Sequence, residues 1–381
     1  MNDTLLGGLS PADFLRRHWQ KRPLLVRGAL PGFRGLLDFE TLAGLAARED
    51  CESRLIVREG GLWRMEPGPH SRRRLRSLPP RGWTLLVQGV DGFLPAAREL
   101  LGRFSFVPLA RLDDLMVSFA PPGGGVGPHF DSYDVFLVQG PGRRRWRVSR
   151  QHDLSLVENA PLRILKRFRP QGQCILHPGD MLYLPPGWAH DGVAVDACYT
   201  YSIGFRAPSH RELVADFLVH LEDRLQPDAM YRDPDLQPPR HPAEIDAKMI
   251  GRVARVLERI RWSRKDVIDF LGCRLSEPKP HVTMHRPGAI SYAGFLRRAR
   301  RDGAELGAAS RLLFYRRRGY INGTSFLMDA STAQPVRMLA DTRRLVGACI
   351  PDHGPLPALL YRWYLDGYIR LGWETGSGEA P

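Results

Sequence analysis

The stretch that decides the fold is PGGGVGPHFDSYDVFLVQGPGRRRWRV, residues 122–148. It holds a glycine-rich approach, a His-x-Asp pair at His129 and Asp131, a Gly-Pro-Gly turn and a strand pattern rich in arginine. Because residues two apart in a strand face the same side, the imidazole and the carboxylate can reach one point. A short His-x-Asp is a weak signal by itself. In this setting it predicts two ligands of a metal site.

The candidate for a third ligand is His190, at the end of PGDMLYLPPGWAH, residues 178–190. The apolar run over residues 181–184 predicts a short strand, and Pro-Pro-Gly turns the chain before the histidine. Two histidines and one carboxylate, with positions left open, are typical of non-haem Fe(II) oxygenases. The same ligands could hold zinc, manganese or nickel, so the three residues alone leave the metal open.

The arginine run after Gly142 places a charge in the same region. In RRRWRV, residues 143–148, Trp146 and Val148 share a strand face with Arg144. If that face points into a β-barrel, the guanidinium needs an anion, because an unpaired buried charge is costly. The anion is either an internal Asp or Glu or a dicarboxylate cosubstrate at the metal. The second interpretation predicts 2-oxoglutarate, Fe(II) and O₂ as partners in the hydroxylation of a C–H bond.

Composition indicates an ordinary globular protein, with 43% hydrophobic and 25% charged residues among 381. Neither a long apolar run nor a signal-peptide pattern is present, so we expect a cytoplasmic protein without a membrane segment. The five scattered cysteines predict reduced thiols. A formal net charge of +14 favours contact with ribosomes or RNA through a basic surface, although arginine-biased codon usage explains it equally well.

Residues 1–208 predict a mixed, β-rich domain. A capped helix from Ser10, a helix near residues 38–48 and a hairpin over residues 53–65 come first, followed by a basic loop at residues 70–76. Short strand patterns with Gly and Pro turns then continue to Phe205. This order indicates an antiparallel sandwich or barrel. A closed double-stranded β-helix would bring the three candidate ligands to one mouth.

Beyond residue 208 the pattern becomes helical. Residues 209–275 predict helices whose apolar stripe, which includes Leu213, Phe217 and Leu221, either covers the barrel or makes a dimer contact. A proline-rich boundary begins at residue 276. Residues 276–381 predict a small α+β domain of winged-helix type, which either binds nucleic acid or serves as a packing module.

These motifs together resemble the bacterial JmjC-type ribosomal oxygenases, which have a cupin fold. The resemblance rests on residues 118–148, residues 178–194, YSIGFRAP at 201–208 and FLRRHWQKRPLLVRGAL at 14–30. It is specific over about the first 210 residues, and it implies a 2-oxoglutarate- and Fe(II)-dependent protein hydroxylase. The best-known members oxidise an arginine β-carbon in the sixteenth large-subunit ribosomal protein. Family order also implies a dimerisation region, and hence a homodimer, and a carboxy-terminal winged helix.

The resemblance assigns roles residue by residue. His129, Asp131 and His190 match the iron ligands, and Arg144 matches the partner of the distal 2-oxoglutarate carboxylate. The expected lesser contacts are Thr200 and Ser118 for 2-oxoglutarate, with Thr200 standing where an asparagine is expected, and Tyr133 and Asp134 for the substrate. The alternative for the last pair is packing or turn stabilisation.

Three other functions stay open from the sequence. The same chemistry could hydroxylate a ribosomal-protein histidine or demethylate an N-methyl group as a JmjC demethylase. A non-enzymatic alternative is a metal-binding cupin regulator. The complete set of candidate ligands together with Arg144 favours the oxygenase.

Overall fold

The computed structural model describes residues 4–225, 229–234, 236–279 and 282–373. The helices are α1 Pro11–Arg17, α2 Phe39–Ala46, α3 Arg72–Arg76, α4 Pro95–Gly102, α5 His210–Leu225, α6 Ala247–Leu257, α7 Arg264–Ser276, α8 Tyr292–Asp302, α9 Ala333–Thr342 and α10 Pro355–Leu365. The strands of the first part are β1 Leu24–Val26, β2 Ser53–Glu59, β3 Leu62–Pro67, β4 Trp83–Val87, β5 Leu112–Ala120, β6 Val135–Gln139, β7 Arg144–Ser149, β8 Gly172–Leu176, β9 Met181–Leu184, β10 Ala189–Ala194 and β11 Cys198–Phe205. Those of the last part are β12 Ala304–Leu306, β13 Leu312–Tyr315, β14 Arg318–Ile321, β15 Thr324–Leu327, β16 Arg344–Leu345 and β17 Ile369–Leu371.

Local signals account for the first elements. Ser10 caps α1 by accepting a hydrogen bond from the Asp13 amide, and Asp38 caps α2 in the same way. The predicted hairpin forms between β2 and β3. The prediction of a loop at residues 70–76 is wrong in part, because residues 72–76 form α3. Ser71 caps this short helix and Leu75 is buried beneath it.

Strands β1 to β11 form two antiparallel sheets. One has the order β1-β9-β6-β11-β5-β4-β2-β3 and the other the order β10-β7-β8. Apolar residues of β6 and β9 pack against Trp146 and Leu176 of the smaller sheet. This closed arrangement confirms the predicted double-stranded β-helix.

Strand β6 is buried on both faces, which explains its unbroken apolar sequence. Val135 and Leu137 face Trp146 inside the barrel. Phe136 and Val138 face outward, where the core around Phe14 of α1 covers them. The amino-terminal helices therefore shield the outer face of the large sheet, and the inner face is left for the site.

The sequence pattern of Phe130 to Val138 predicts a strand, but β6 begins only at Val135. Asp131 lies outside the strands, while His129 makes an isolated bridge with His190. In this bridge the amide of His129 donates to the His190 carbonyl at 2.9 Å, and the reverse bond measures 2.7 Å. The two histidines are therefore fixed opposite each other by backbone hydrogen bonds.

Helix α5 of the helical part packs on α7, and α7 also packs on the strands of the last part, where the Tyr320 hydroxyl donates to Asp269 at 2.9 Å. The ring of Phe217 on α5 lies 5.3 Å from the ring of Phe270 on α7. The stripe predicted to cover the barrel or form a dimer contact thus packs on α7, an arrangement that the sequence did not predict. Within the described ranges, no helix has the length and apolar character needed to cross a lipid bilayer.

The last part is a winged helix, as predicted. Helices α8, α9 and α10 enclose a core that includes Phe295, Leu339 and Leu360 beside sheets β16-β12-β17 and β13-β14-β15. An Asn-Gly pair after a strand pattern predicts a turn, and Asn322 and Gly323 form the turn that joins β14 to β15. The sequence pattern of Leu356 to Leu371 predicts a single helix, but α10 stops at Leu365, because Gly367 adopts a positive φ and β17 follows.

A candidate metal and cosubstrate site

His129, Asp131 and His190 meet at one end of the barrel. Their candidate ligand atoms all lie within 4.8 Å of one another. The Nε2 atom of His190 is 3.6 Å from an Asp131 carboxylate oxygen, and the centroids of the two imidazole rings are 4.2 Å apart. The structure therefore brings together the three residues that the sequence selected.

Backbone contacts set the orientation of these side chains. The Gly187 amide donates to the Asp131 carbonyl at 2.8 Å, which ties the loop after His129 to the turn before His190. Gly127 has a φ of +79°, and a Cβ there would lie 2.8 Å from atoms of Trp63 and Ile164. Glycine is therefore required at this position, two residues before the first histidine.

Both histidines are held in the tautomer that a metal ligand requires. Nδ1 of His129 lies 2.8 Å from the Gly127 carbonyl, and Nδ1 of His190 lies 2.9 Å from the Trp188 carbonyl. A carbonyl only accepts, so each Nδ1 carries the proton and each Nε2 keeps its lone pair. Burial, reinforced by the neighbouring His129, lowers the pKa of His190 to about 4.

Arg144 is the buried charge beside this cluster. Its side chain lies inside the barrel and is 4% exposed, whereas Arg145 faces out. One Nη donates to Ser118 Oγ at 3.1 Å and to Thr200 Oγ1 at 3.0 Å, and Nε has no hydrogen-bond partner. Desolvation lowers the pKa of this guanidinium.

No carboxylate among the described residues forms an ion pair with Arg144. The neighbouring buried acid, Asp191, pairs instead with Arg147 on the outer face of β7. The internal Asp or Glu that the sequence left open as a partner is therefore not found in the described part of the chain. An unpaired guanidinium with a free Nε fits an anionic ligand that enters from outside.

Ser118 and Thr200 are the polar side chains that contact Arg144. They are opposite each other in the β5–β11 pairing, and both are buried. Each contributes a hydroxyl that accepts from Arg144, so they hold the guanidinium in place. Whether they also contact 2-oxoglutarate stays a prediction.

The two residues predicted to contact the substrate differ in their surroundings. Tyr133 has a ring that is 39% exposed, while desolvation of its hydroxyl and the nearby Asp131 carboxylate raise its pKa. Asp134 is fully buried, and its carboxylate accepts from Tyr183 and Gln20. Asp134 therefore fits the alternative role in packing. Of the two residues, Tyr133 stays a predicted substrate contact.

Sequence reasoning missed the groups that orient the site. The two carbonyl groups that fix the histidine tautomers belong to the backbone, so no residue type signals them. The indole of Trp146 has a buried N–H without a partner, with its ring 5.9 Å from the His190 ring and 5.5 Å from the Arg144 guanidinium. The even position of Trp146 in the strand predicted its inward direction, but not its position beside His190.

The donor set fits a divalent transition metal, because it joins two imidazoles and one carboxylate. Arg144 fits the carboxylate of a ligand, because it offers a desolvated charge and an unpaired N–H. A dicarboxylate that chelates a metal could use both groups.

Comparisons with known proteins agree with this chemistry. A family profile described as the JmjC domain matches residues 99–213, and one described as the ROXA-like winged helix matches residues 259–370. The chain is 42% identical over 236 residues to the ribosomal protein uL16 3-hydroxylase of Escherichia coli, an alignment that covers 61% of this chain and 62% of that relative.

Two further matches have different coverage. A solved structure of YcfD, a ribosomal oxygenase from Escherichia coli in complex with cobalt and 2-oxoglutarate, is 31% identical with a TM-score of 0.79. That superposition covers 95% of this chain and 98% of the solved chain. The bifunctional lysine-specific demethylase and histidyl-hydroxylase NO66 of Drosophila persimilis is 26% identical over half of this chain and 29% of its own length. The alignments thus span less than two thirds of these two curated relatives, whereas the superposition spans almost all of the solved chain.

Proposed function

The chain belongs to the bacterial JmjC-type ribosomal oxygenases, and from this we propose that it is a 2-oxoglutarate- and Fe(II)-dependent dioxygenase that hydroxylates a ribosomal-protein side chain. One observation carries the proposal. The two histidines and the aspartate converge beside a buried arginine that has no acidic partner among the described residues. A structural zinc site or a metal-free regulator would have no need for that uncompensated charge.

In this proposal each residue has one task. The Nε2 atoms of His129 and His190 and the carboxylate of Asp131 hold the iron. Arg144, fixed by Ser118 and Thr200, binds the distal carboxylate of 2-oxoglutarate. With O₂, the bound iron and cosubstrate supply the oxidising power to insert one oxygen atom into a C–H bond, while 2-oxoglutarate becomes succinate and CO₂.

We propose a large-subunit ribosomal protein as the substrate, and an arginine β-carbon of the sixteenth protein as the target. The relative that is 42% identical is named a ribosomal protein uL16 3-hydroxylase, and this name supports the sixteenth large-subunit protein as the target. A histidine target is the second candidate, supported by the more distant relative named as a histidyl-hydroxylase. A substrate of this kind would place the enzyme in the cytoplasm.

Mass spectrometry of ribosomal proteins is the test of this function. Ribosomes from a strain that lacks the gene, incubated with enzyme, Fe(II) and 2-oxoglutarate, are expected to gain about 16 Da on one large-subunit protein. Fragment spectra then place the oxygen on arginine or histidine. An Asp131→Ala enzyme serves as the control and should add nothing. Steady succinate formation on another target, with no ribosomal protein modified, would contradict the substrate assignment.

We propose three functional regions within the chain. Residues 1–208 would be the catalytic JmjC domain, residues 209–275 a helical dimerisation region, and residues 276–381 the winged helix. Helix α6 supports the middle assignment, because none of its residues is buried. Ile250 and Val253 are 57% and 39% exposed, and Val256 and Leu257 are exposed beside them. An amphipathic helix with an uncovered apolar face fits a second copy of the chain.

Charges placed on that face should separate the subunits. Ile250→Asp combined with Val253→Asp is expected to convert a dimer to a monomer, because each carboxylate would be desolvated in the contact. Size-exclusion chromatography with light scattering measures the mass. Lys248→Asp, on the same helix outside the apolar face, is the matched control and should stay dimeric. A wild-type monomer, or a dimeric double variant, would rule out α6 as the contact.

A further inference from the structure

Positive charge is concentrated in the winged helix. Residues 282–373 contain fourteen arginines and six acidic residues, so they account for +8 of the formal net charge of +14. The sequence alone could not say where these arginines lie relative to one another. In the fold, several of them gather at the β13–β14 hairpin.

The tip of this hairpin combines exposed rings with exposed guanidinium groups. Phe314 and Tyr315 are each 38% exposed. Arg316 and Arg317 follow them and are exposed as well, with Arg316 at a φ of +54° in the turn. These four residues, together with Arg337 of α9, form what we call the hairpin patch.

The charges of the hairpin patch are not neutralised within the described residues. Arg317 donates to the Met328 carbonyl, and Arg337 donates to the Arg316 carbonyl at 2.7 Å, but neither pairs with a carboxylate. Other arginines of the domain do have acidic partners, including Arg344 with Glu305 at 3.0 Å. The patch is therefore a local source of positive potential.

Rings and guanidinium groups are also in contact within the patch. The Arg337 guanidinium lies 5.5 Å from the Phe314 ring, and the Arg316 guanidinium lies 5.4 Å from the Tyr315 ring. These contacts hold the arginines beside the rings, while each of the two aromatic residues remains 38% exposed.

We propose that the hairpin patch binds single-stranded RNA. Exposed aromatic rings offer stacking surfaces for unpaired bases, and the adjacent guanidinium groups attract the phosphates between them. An acidic protein surface would use the charges but would have little need for two exposed rings. The choice of RNA over DNA rests on the proposed function, because an enzyme that acts on a ribosomal protein works where RNA is the abundant polyanion.

Fluorescence anisotropy of the full-length protein with a labelled single-stranded RNA of about 12 nucleotides is the test. Between about 50 mM and 200 mM salt, Arg316→Ala combined with Arg317→Ala is expected to flatten the slope of log affinity against log salt by about 1.4. Tyr315→Ala should weaken binding at least about fivefold with the slope unchanged, because it removes stacking and no charge. A duplex of the same length should bind more weakly than the single strand.

The matched control is Arg297→Ala combined with Arg298→Ala, which removes the same charge from exposed positions on α8. An equal loss in this control would show that overall charge drives binding and would overturn the proposal. Unchanged affinity in Tyr315→Ala, or tighter binding of polyglutamate than of RNA, would overturn it too.

Hydroxylation of an isolated substrate peptide should be normal in all these variants. RNA binding by the patch in a protein that hydroxylates no ribosomal protein would still support this inference while refuting the proposed function. The two failures are therefore distinguishable.

Discussion

Asp131→Ala is expected to lower turnover by on the order of 1,000-fold, because a bound metal ion lowers the activation barrier by several kcal/mol and this substitution removes its proposed carboxylate ligand. The geometry supports a role as ligand, since Asp131 is the acid that joins the two imidazoles within 4.8 Å in the part of the chain that the structure describes. Succinate formation measures turnover. Equilibrium dialysis with Mn(II) measures the weaker metal binding without any need for catalysis.

The control for this variant is Asp153→Ala, which removes an exposed carboxylate that accepts hydrogen bonds from the amide and the hydroxyl of nearby Ser155. It should leave turnover and metal binding unchanged. Both variants should melt near the wild-type temperature, because Asp131 is half-buried in a loop and its backbone contact to Gly187 remains. Unfolding of Asp131→Ala at room temperature would mean that the residue is mainly structural.

Arg144→Ala is expected to raise the Kd for 2-oxoglutarate by about 100- to 1,000-fold, because a buried charge pair loses one partner. Metal binding should be retained, since Arg144 is not among the residues that converge as ligands. Anaerobic titration of the Fe(II) protein with 2-oxoglutarate should give a weak metal-to-ligand absorption band in the wild type. In the variant the band should appear only at a much higher 2-oxoglutarate concentration. Absence of the band in both proteins would refute the oxygenase.

Arg145→Ala is the matched control, because this neighbour faces solvent on the other side of the same strand. It should bind 2-oxoglutarate as the wild type does. Arg144→Met adds a second measurement: without cosubstrate it should melt no lower than the wild type, because it removes a desolvated charge that lacks a partner. A large loss of stability in Arg144→Met would mean that the guanidinium is needed for folding and would count against a ligand-binding role.

The two-residue period of a strand was enough to separate Arg144 from the arginines on either side of it. The prediction held because Trp146 shares its face, and an indole is strongly driven into the interior. The same reasoning placed His129 and Asp131 in one strand, and this was wrong. The aspartate lies in a loop after an isolated bridge, and it reaches the histidines because its carbonyl is tied to Gly187.

Asp134 illustrates what local sequence cannot decide. Next to the proposed ligands it resembled a substrate contact, yet Tyr183 and Gln20, far away in the chain, bury it behind the site. Residues 70–76 illustrate the opposite case. A run of arginines suggested a solvated loop, but the Ser71 cap and the buried Leu75 were sufficient to form a short helix.

By itself the sequence determined the types of group that meet in this protein, because strand alternation, caps and turns act over a few residues. Only the tertiary structure decided which groups are partners. Closure of the barrel paired Asp191 with Arg147 and left Arg144 without an acidic partner among the described residues. Folding of the winged helix brought the residues of the β13–β14 hairpin next to Arg337 of α9 and so formed the hairpin patch. Such pairings depend on contacts between residues that are distant in the chain, and a local pattern carries no information about them.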